Sequence, residues 1–290
     1  MNRVLTPASL PEALDFLAHY PEAQPLAGGT DLLVRRRAAG PADARPLLAI
    51  AHLPELRGIR DDGTHLFIGA ATPFATIAAD PRVQASAPVL ARAARCVGGP
   101  ALRNMATLGG NIRTASPAGD SLPPLYALDA CVELASARAT RRVPIDRFIL
   151  GPGKTALNGD ELITGILLPS GKHAPCPVKD FQCFEKVGRR ESMAISVASF
   201  CAIARLDDNG CLAEARFSWG SVGPTVVRLP ALESALRGAR PDAESIGLAV
   251  RMAHDGVSPI SDLRASAAYR RRLAGNLLAR FLEGLARSRA

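Results

Sequence analysis

Two short stretches gather the residues able to do chemistry. Thr107-Leu-Gly-Gly-Asn-Ile-Arg-Thr-Ala-Ser-Pro-Ala-Gly-Asp120 puts paired glycines, an amide, several hydroxyls and a closing carboxylate into one segment. Leu26-Ala-Gly-Gly-Thr-Asp-Leu-Leu33 repeats the theme near the N-terminus. Glycine allows backbone to approach a ligand closely and to take positive φ, so successive N–H groups can point at one anion. No element with a continuous apolar face can be drawn through the longer stretch, so both read as turns. Together they suggest one extended, phosphate-bearing ligand held from two sides.

Other chemistries lack their residues. Cys96, Cys131, Cys176, Cys183, Cys201 and Cys211 form no C-x-x-C pair or tight cluster, and the histidines (19, 52, 65, 173 and 254) show no i,i+4 pairing. No zinc or iron–sulfur ligand set follows, and no metal site is expected. Rossmann G-x-G-x-x-G, G-x-S-x-G and H-E-x-x-H motifs are absent, so no catalytic nucleophile or base announces itself. Phe148-Ile-Leu-Gly-Pro-Gly-Lys-Thr155 imitates a P-loop, but the first glycine of that pattern falls on Phe148 and Pro152 interrupts the loop. It reads as a structural turn.

The elements that must position the two stretches follow from periodicity. A chain of 290 residues fits two or three domains. In the first, residues 1–57, Ser9 and Glu12 form a capping-box pattern before Leu10, Ala13, Leu14 and Leu17 at helical spacing. A strand over 23–27 runs into Gly28-Gly29, a helix starts from Asp31, and 47–50 form another strand. The second unit, 58–172, has strands near 65–69, 131–135, 140–143 and 162–168, with helices over 73–79, 89–97 and 121–128. A linker follows at 172–177. The third unit, 178–290, has three strands (181–187, 195–206 and 212–218). The last two are joined at Asp207-Asp-Asn-Gly210, whose Asn-Gly ending favours a tight hairpin. Helices over 230–237, 242–254 and 262–287 complete it.

The formal charge of +8 comes mostly from arginine, with aromatics at only 4% of residues. Apart from Arg35–Arg37 and Arg270–Arg272 the basic residues are scattered, which argues against nucleic-acid binding. No run of 18 apolar residues forms a membrane span, and the N-terminus has no signal-peptide core, so a cytoplasmic location is expected.

At this point the two glycine stretches resemble a known pair. Ala27-Gly-Gly-Thr-Asp-Leu-Leu33 and Arg103-Asn-Met-Ala-Thr-Leu-Gly-Gly-Asn111 are similar to the two flavin-binding signatures of the FAD-carrying medium subunits of molybdenum hydroxylases. Ser116–Asp120, Gly151–Lys154, Glu161–Pro169, Phe184–Arg190 and Ser261–Arg270 continue the likeness in order along the whole chain. Within the family the nearest type is the FAD-binding subunit of bacterial xanthine dehydrogenase.

The resemblance implies an α+β fold. Two α/β subdomains of the PCMH-type FAD-binding fold precede a domain with a three-stranded antiparallel sheet and helices. It implies that Leu26, Ala27, Gly28, Gly29, Thr30, Asp31, Leu32 and Leu33, with Thr107, Leu108, Gly109, Gly110 and Asn111, cradle the FAD pyrophosphate through backbone N–H groups and polar side chains. Asp120 would accept hydrogen bonds from the cofactor. Val97 and Gly98 would approach the flavin, Ile163 would pack on the isoalloxazine, and Lys186 would place a cation near it. Molybdopterin and [2Fe–2S] clusters would sit on a large and a small partner subunit, in a dimer of heterotrimers. Electrons would pass through FAD to NAD or another acceptor. Asp120 to Leu162 holds one cysteine, Cys131, so the extra four-iron cluster of some hydroxybenzoyl-CoA reductase relatives is not expected. A carbon monoxide dehydrogenase-like or hydroxybenzoyl-CoA reductase-like subunit, a stand-alone FAD oxidase and a FAD-less scaffold remain as alternative readings.

Overall fold

The computed structural model describes residues 4–40, 43–171 and 181–288. The expected linker at 172–177, with His173 and Cys176, lies outside the described residues.

The first sheet is small and parallel. It combines β1 (Val4–Leu5), β2 (Gln24–Leu26) and β3 (Leu47–Ala49) in the order β1-β3-β2, with α1 (Leu10–His19) and α2 (Leu32–Ala39) between strands. Helix α1 starts where the sequence places it. Ser9 accepts from Glu12 N, but the Glu12 carboxylate reaches Ala8 N rather than the cap's own N–H. Ala13, Leu14 and Leu17 bury the apolar face against a core that includes Leu5, Leu48 and Leu53.

The second sheet is antiparallel, in the order β4-β5-β10-β6-β7. Its strands are β4 (Ile59–Asp61), β5 (His65–Gly69), β6 (Cys131–Ala135), β7 (Thr140–Pro144) and β10 (Leu162–Pro169). Between β5 and β6 lie α3 (Phe74–Ala79), α4 (Pro81–Ser86), α5 (Pro88–Cys96), α6 (Pro100–Met105), α7 (Leu108–Thr114) and α8 (Leu122–Ala127). The would-be P-loop is α9 (Ile145–Phe148) followed by the hairpin β8 (Ile149–Gly151) and β9 (Lys154–Thr155), a turn as expected.

The third sheet has one strand more than expected. β11 (Phe181–Val187), β12 (Ala198–Leu206) and β13 (Leu212–Gly220) pair antiparallel, and β14 (Val227–Arg228), too short to show a period, adds to β13. Strand β12 is buried from Ala198 to Ala204 because both of its faces are covered. Phe200, Ala202 and Ala204 join Trp219, Phe217 and Phe281 on one side, while Cys201 and Ile203 join the core of the second sheet on the other. Helices α10 (Pro230–Leu236), α11 (Ala243–Gly256) and α12 (Ala267–Arg287) cover the first face. No helix among the described residues is long and apolar enough to cross a membrane.

Helix α12 begins at Ala267, later than the expected 262, because Ser266 caps it and Asp262 closes a turn by accepting from Arg264 N and Ala265 N. One arginine of each triplet is structural. Arg36 is buried and donates to Gln24 Oε1, Arg45 O and Asp43 O. Arg270, 4% exposed, donates to Val197 O, Ser221 O and Asp262 Oδ1 at 2.9–3.0 and 2.7 Å. Arg270→Met should therefore strand two buried carbonyls, while Asp262 keeps Arg264, lowering stability by about 2–4 kcal/mol. The urea midpoint would measure it, and an unchanged midpoint would show that Arg270 does not hold α12 to the sheet.

Candidate functional site

The stretch around Gly109-Gly110 is a helix, not a turn. Thr107 accepts from Gly110 N at 3.2 Å and caps α7, Leu108 and Ile112 bury one face at i,i+4 spacing, and Ala115 ends it at φ 46°. Periodicity missed this helix because it is only two turns long and its glycines interrupt the apolar pattern.

The glycines serve close backbone approach. A Cβ on Gly109 would lie 2.6 Å from Ala70 Cβ, and one on Gly28 would lie 2.0 Å from Met105 O. The first contact seats α7 on the end of β5; the second presses the turn after β2 against the end of α6. A hydrogen bond of 3.2 Å from Thr114 Oγ1 to Asp31 Oδ2 also links the two walls.

Between these walls and the third sheet runs a cleft of about 1550 Å³, larger than the roughly 300–1,000 Å³ usual for a compact small ligand. Ala27 through Leu32, Val97, Gly98, Thr107, Gly109, Gly110, Asn111, Asp120 and Ile163 all line it. Four expected positions do not. Leu108 is fully buried beneath α7, and Lys186 lies behind Asp120. Leu26 and Leu33 flank Gly29, where a Cβ would lie 3.2 and 2.9 Å from their Cδ1 atoms.

The unbonded backbone donors lie on one wall only among the two stretches. On α7 the donors are spent: Leu108 N on Thr72 O, Gly109 N on Ala70 O, Gly110 N on Thr107 Oγ1 and Asn111 N on Thr107 O. On the opposite wall, the N–H groups of Gly28, Gly29, Thr30, Asp31 and Leu32 donate to no described residue. Gly29 takes φ 71°, and the N-terminus of α2 has no side-chain cap because Asp31 turns to Arg35 and Thr114 instead. A turn with free N–H groups leading into a helix N-terminus is an anion-binding geometry.

Asp120 is a cleft carboxylate held by side chains of the third sheet and the loop before β12. Lys186 Nζ donates to its Oδ2 at 2.5 Å and to Cys96 O at 2.8 Å, while Ser196 Oγ donates to its Oδ1 at 2.7 Å. Burial pushes the Asp120 carboxyl above its usual range, opposed by Lys186 and Ser196. Lys186, expected to place a cation near the flavin, has its ammonium paired with the Asp120 carboxylate. Ser196, distant in sequence, gave no signal of its own.

Ile163 owes its position to a bulge. The pairing of β10 with β6 shifts between Ile163 and Gly165, and the Phe67 ring occupies the space where a Gly165 Cβ would stand, 2.2 Å away. Val97 and Gly98 follow the end of α5, their carbonyls held by Arg103 Nη1 at 3.2 and 3.0 Å. Among the described residues no group of His, Cys, Asp and Glu could hold a metal ion.

Two outcomes follow. Gly28→Ala should cost about 1–3 kcal/mol by forcing the walls apart, whereas Gly110→Ala, which meets only Thr107 Oγ1 at 2.9 Å, should stay within about 1 kcal/mol. Equal denaturation midpoints would contradict this. Lys186→Met should cost about 3–5 kcal/mol near neutral pH by leaving Asp120 buried and unpaired. With the folded-state pKa of Asp120 raised, the folded chain takes up the proton more readily than the unfolded one, so this deficit should shrink as pH falls. A deficit that grows on acidification would refute the pairing.

The geometry can be set beside known proteins. Residues 1–171 match the model of the FAD binding domain in molybdopterin dehydrogenase, and 182–285 match that of the CO dehydrogenase flavoprotein C-terminal domain. The chain is 36% identical over 265 residues to a putative xanthine dehydrogenase FAD-binding subunit of Escherichia coli K12, covering 91% of this chain and 88% of that protein. It is 32% identical to the carbon monoxide dehydrogenase medium chain of Hydrogenophaga pseudoflava, covering 95% and 94%. A solved carbon monoxide dehydrogenase from the same organism superposes with a TM-score of 0.89 at 32% identity, covering 99% and 98%. A reconstituted CO dehydrogenase from Oligotropha carboxidovorans superposes with a TM-score of 0.91 at 27% identity, covering 100% and 99%. The chain belongs to the FAD-binding medium subunits of the molybdenum hydroxylases.

Proposed function

We propose that this chain carries electrons from [2Fe–2S] clusters on a small partner subunit to NAD or another acceptor, within a molybdenum hydroxylase of xanthine dehydrogenase type. A molybdopterin-bearing large subunit completes a heterotrimer, paired into a dimer. Residues 1–57 and 58–172 act as the two FAD-binding subdomains and 178–290 as the flavoprotein C-terminal domain. The observation that carries the reading is the run of free backbone donors from Gly28 to Leu32 facing a long cleft.

FAD fits these residues. The α2 turn offers N–H groups for a pyrophosphate, and the Asp31 carboxylate that would repel it is paired with Arg35 at 2.8 Å. The Asn111 amide group is oriented by Ser121 Oγ, which donates to its Oδ1 at 2.7 Å and leaves its N–H pair for the cleft. Thr107 contributes by holding α7 in place, and Thr30 offers a hydroxyl. Val97 and Ile163 are the apolar surfaces that would exclude water beside the flavin ring, and Asp120 supplies a fixed acceptor backed by Lys186. When bound, FAD supplies the exchange between one-electron and two-electron transfer; the chain's own residues bind it, orient it and set its electrostatic surroundings. No residue of the cleft is assigned as a catalytic base.

The test is optical. Purified protein, alone or reconstituted, should show a releasable flavin spectrum that bleaches with NADH, and a small subunit rich in cysteine should copurify with it. A chain that stays colourless after incubation with FAD would end the proposal, whereas flavin that is reduced by an organic substrate without partner subunits would favour the stand-alone oxidase.

A further inference from the structure

Six cationic side chains line the cleft, and all are arginines: Arg35, Arg36, Arg45, Arg113, Arg264 and Arg270. Five have acidic partners. Arg35 pairs with Asp31 at 2.8 Å, Arg36 and Arg45 with Asp43 at 3.7 and 2.8 Å, and Arg264 and Arg270 with Asp262 at 3.0 and 2.7 Å. Arg113 is different. Among the described residues it has neither an acidic partner nor a hydrogen-bond acceptor, and the charge that acts on it is another guanidinium, Arg35. Desolvation of its head group, then Arg35, lower its pKa, even though the residue as a whole is exposed to the cleft.

Its placement is set by α7. Gly110, Arg113 and Thr114 share one face at i, i+3 and i+4, the face that lines the cleft, while Leu108 and Ile112 point into the core. Thr114 Oγ1 reaches Asp31 Oδ2 at 3.2 Å, so the turn of α7 that carries Arg113 abuts the start of α2. The unbonded N–H groups of Gly28 to Leu32 lie at that same junction. One wall thus has donors but its charges are paired, and the other has an unpaired charge with its backbone donors spent.

We infer that Arg113 supplies the cation for the pyrophosphate of FAD, completing with the α2 donors a site that neither wall makes alone. A guanidinium carries paired N–H donors that suit phosphate oxygens, and a dianionic group placed near Arg113 and Arg35 would also relieve their mutual repulsion. This rests on the reading of the cleft as the FAD site, but it assigns a residue outside the Gly-Gly signatures.

The test uses the full chain freed of flavin and titrated with FAD, ADP and riboflavin at several salt concentrations. Arg113→Gln should weaken FAD and ADP by about tenfold to a hundredfold and flatten the salt dependence of both, leaving riboflavin unchanged. Arg113→Lys should recover part of the FAD affinity and the salt dependence. Unchanged FAD affinity and salt dependence in Arg113→Gln would overturn the inference, as would an equal loss for FAD and riboflavin, which would mark general damage. Wild-type protein that binds none of the three probes would instead overturn the reading of the cleft and the inference with it.

Discussion

The site depends on one steric constraint, the contact of the Gly28 backbone with the Met105 carbonyl. No side chain fits between them, since a Cβ would lie 2.0 Å from that oxygen. The two walls of the cleft belong to different hydrophobic cores, one around β1–β3 and the other around β5, β6 and β10. Dispersion between side chains could hold such cores together at many separations. A backbone-to-backbone contact sets the closest separation sharply, because carbonyl and peptide atoms cannot change rotamer. Gly109 against Ala70 does the same for α7 on its own sheet. The paired glycines thus determine the width of the cleft as well as its surface. The contact keeps the opposite wall from coming closer to the free donors of Gly28 to Leu32, and the Thr114–Asp31 hydrogen bond opposes its retreat.

The second fixed point is electrostatic. Asp120 follows α7, Lys186 lies on β11 and Ser196 just precedes β12, so their hydrogen bonds cross from the second sheet to the third. A buried ion pair contributes little net stability over an apolar equivalent, but removing one partner is expensive. Its role is therefore positional: it requires β11 to sit in one register against the loop after α7. It also means that the cleft presents a neutral pair where an isolated lysine would present a charge. Any preference for an anionic cofactor must then come from elsewhere, from the α2 donors and the side chains that remain unpaired.

Much of the fold was legible in the sequence. Helices α1 and α11, strands β5, β6 and β10, and the hairpin at Gly210 follow from apolar periodicity, caps and an Asn-Gly turn, all of which act over short sequence distances. The resemblance of Ala27–Leu33 and Arg103–Asn111 located both walls. What the sequence could not reveal depends on contacts between distant segments. Whether a backbone N–H is free is decided by its partner, and the first two α7 donors, Leu108 N and Gly109 N, are taken by Thr72 and Ala70, residues no local pattern would join to Thr107–Asn111. Lys186 reads as an available cation until Asp120 is placed beside it. Arg270 reads as part of a basic run until it is found inserted between Val197, Ser221 and Asp262.

These constraints bear on how ligand and fold stabilise each other. The cleft is lined from all three sheets: Gly28 and Leu32 adjoin the first, Ile163 lies in the second, and Ser196 adjoins the third. A cofactor that contacts residues from all three binds the assembled chain and not the unfolded one, so its free energy of binding adds to folding stability. The protein's own ties between these parts are both polar and apolar: Thr114 bonds Asp31 and Asp120 bonds Lys186 and Ser196 beside the cleft, while Phe184, Cys201 and Ile203 pack into the core of the second sheet and Leu162 into that of the first. Hydrogen bonds of this kind give orientation at small net energy. A long ligand that spans the same junctions would then add to the cohesion of the three units, which makes the cleft a structural joint.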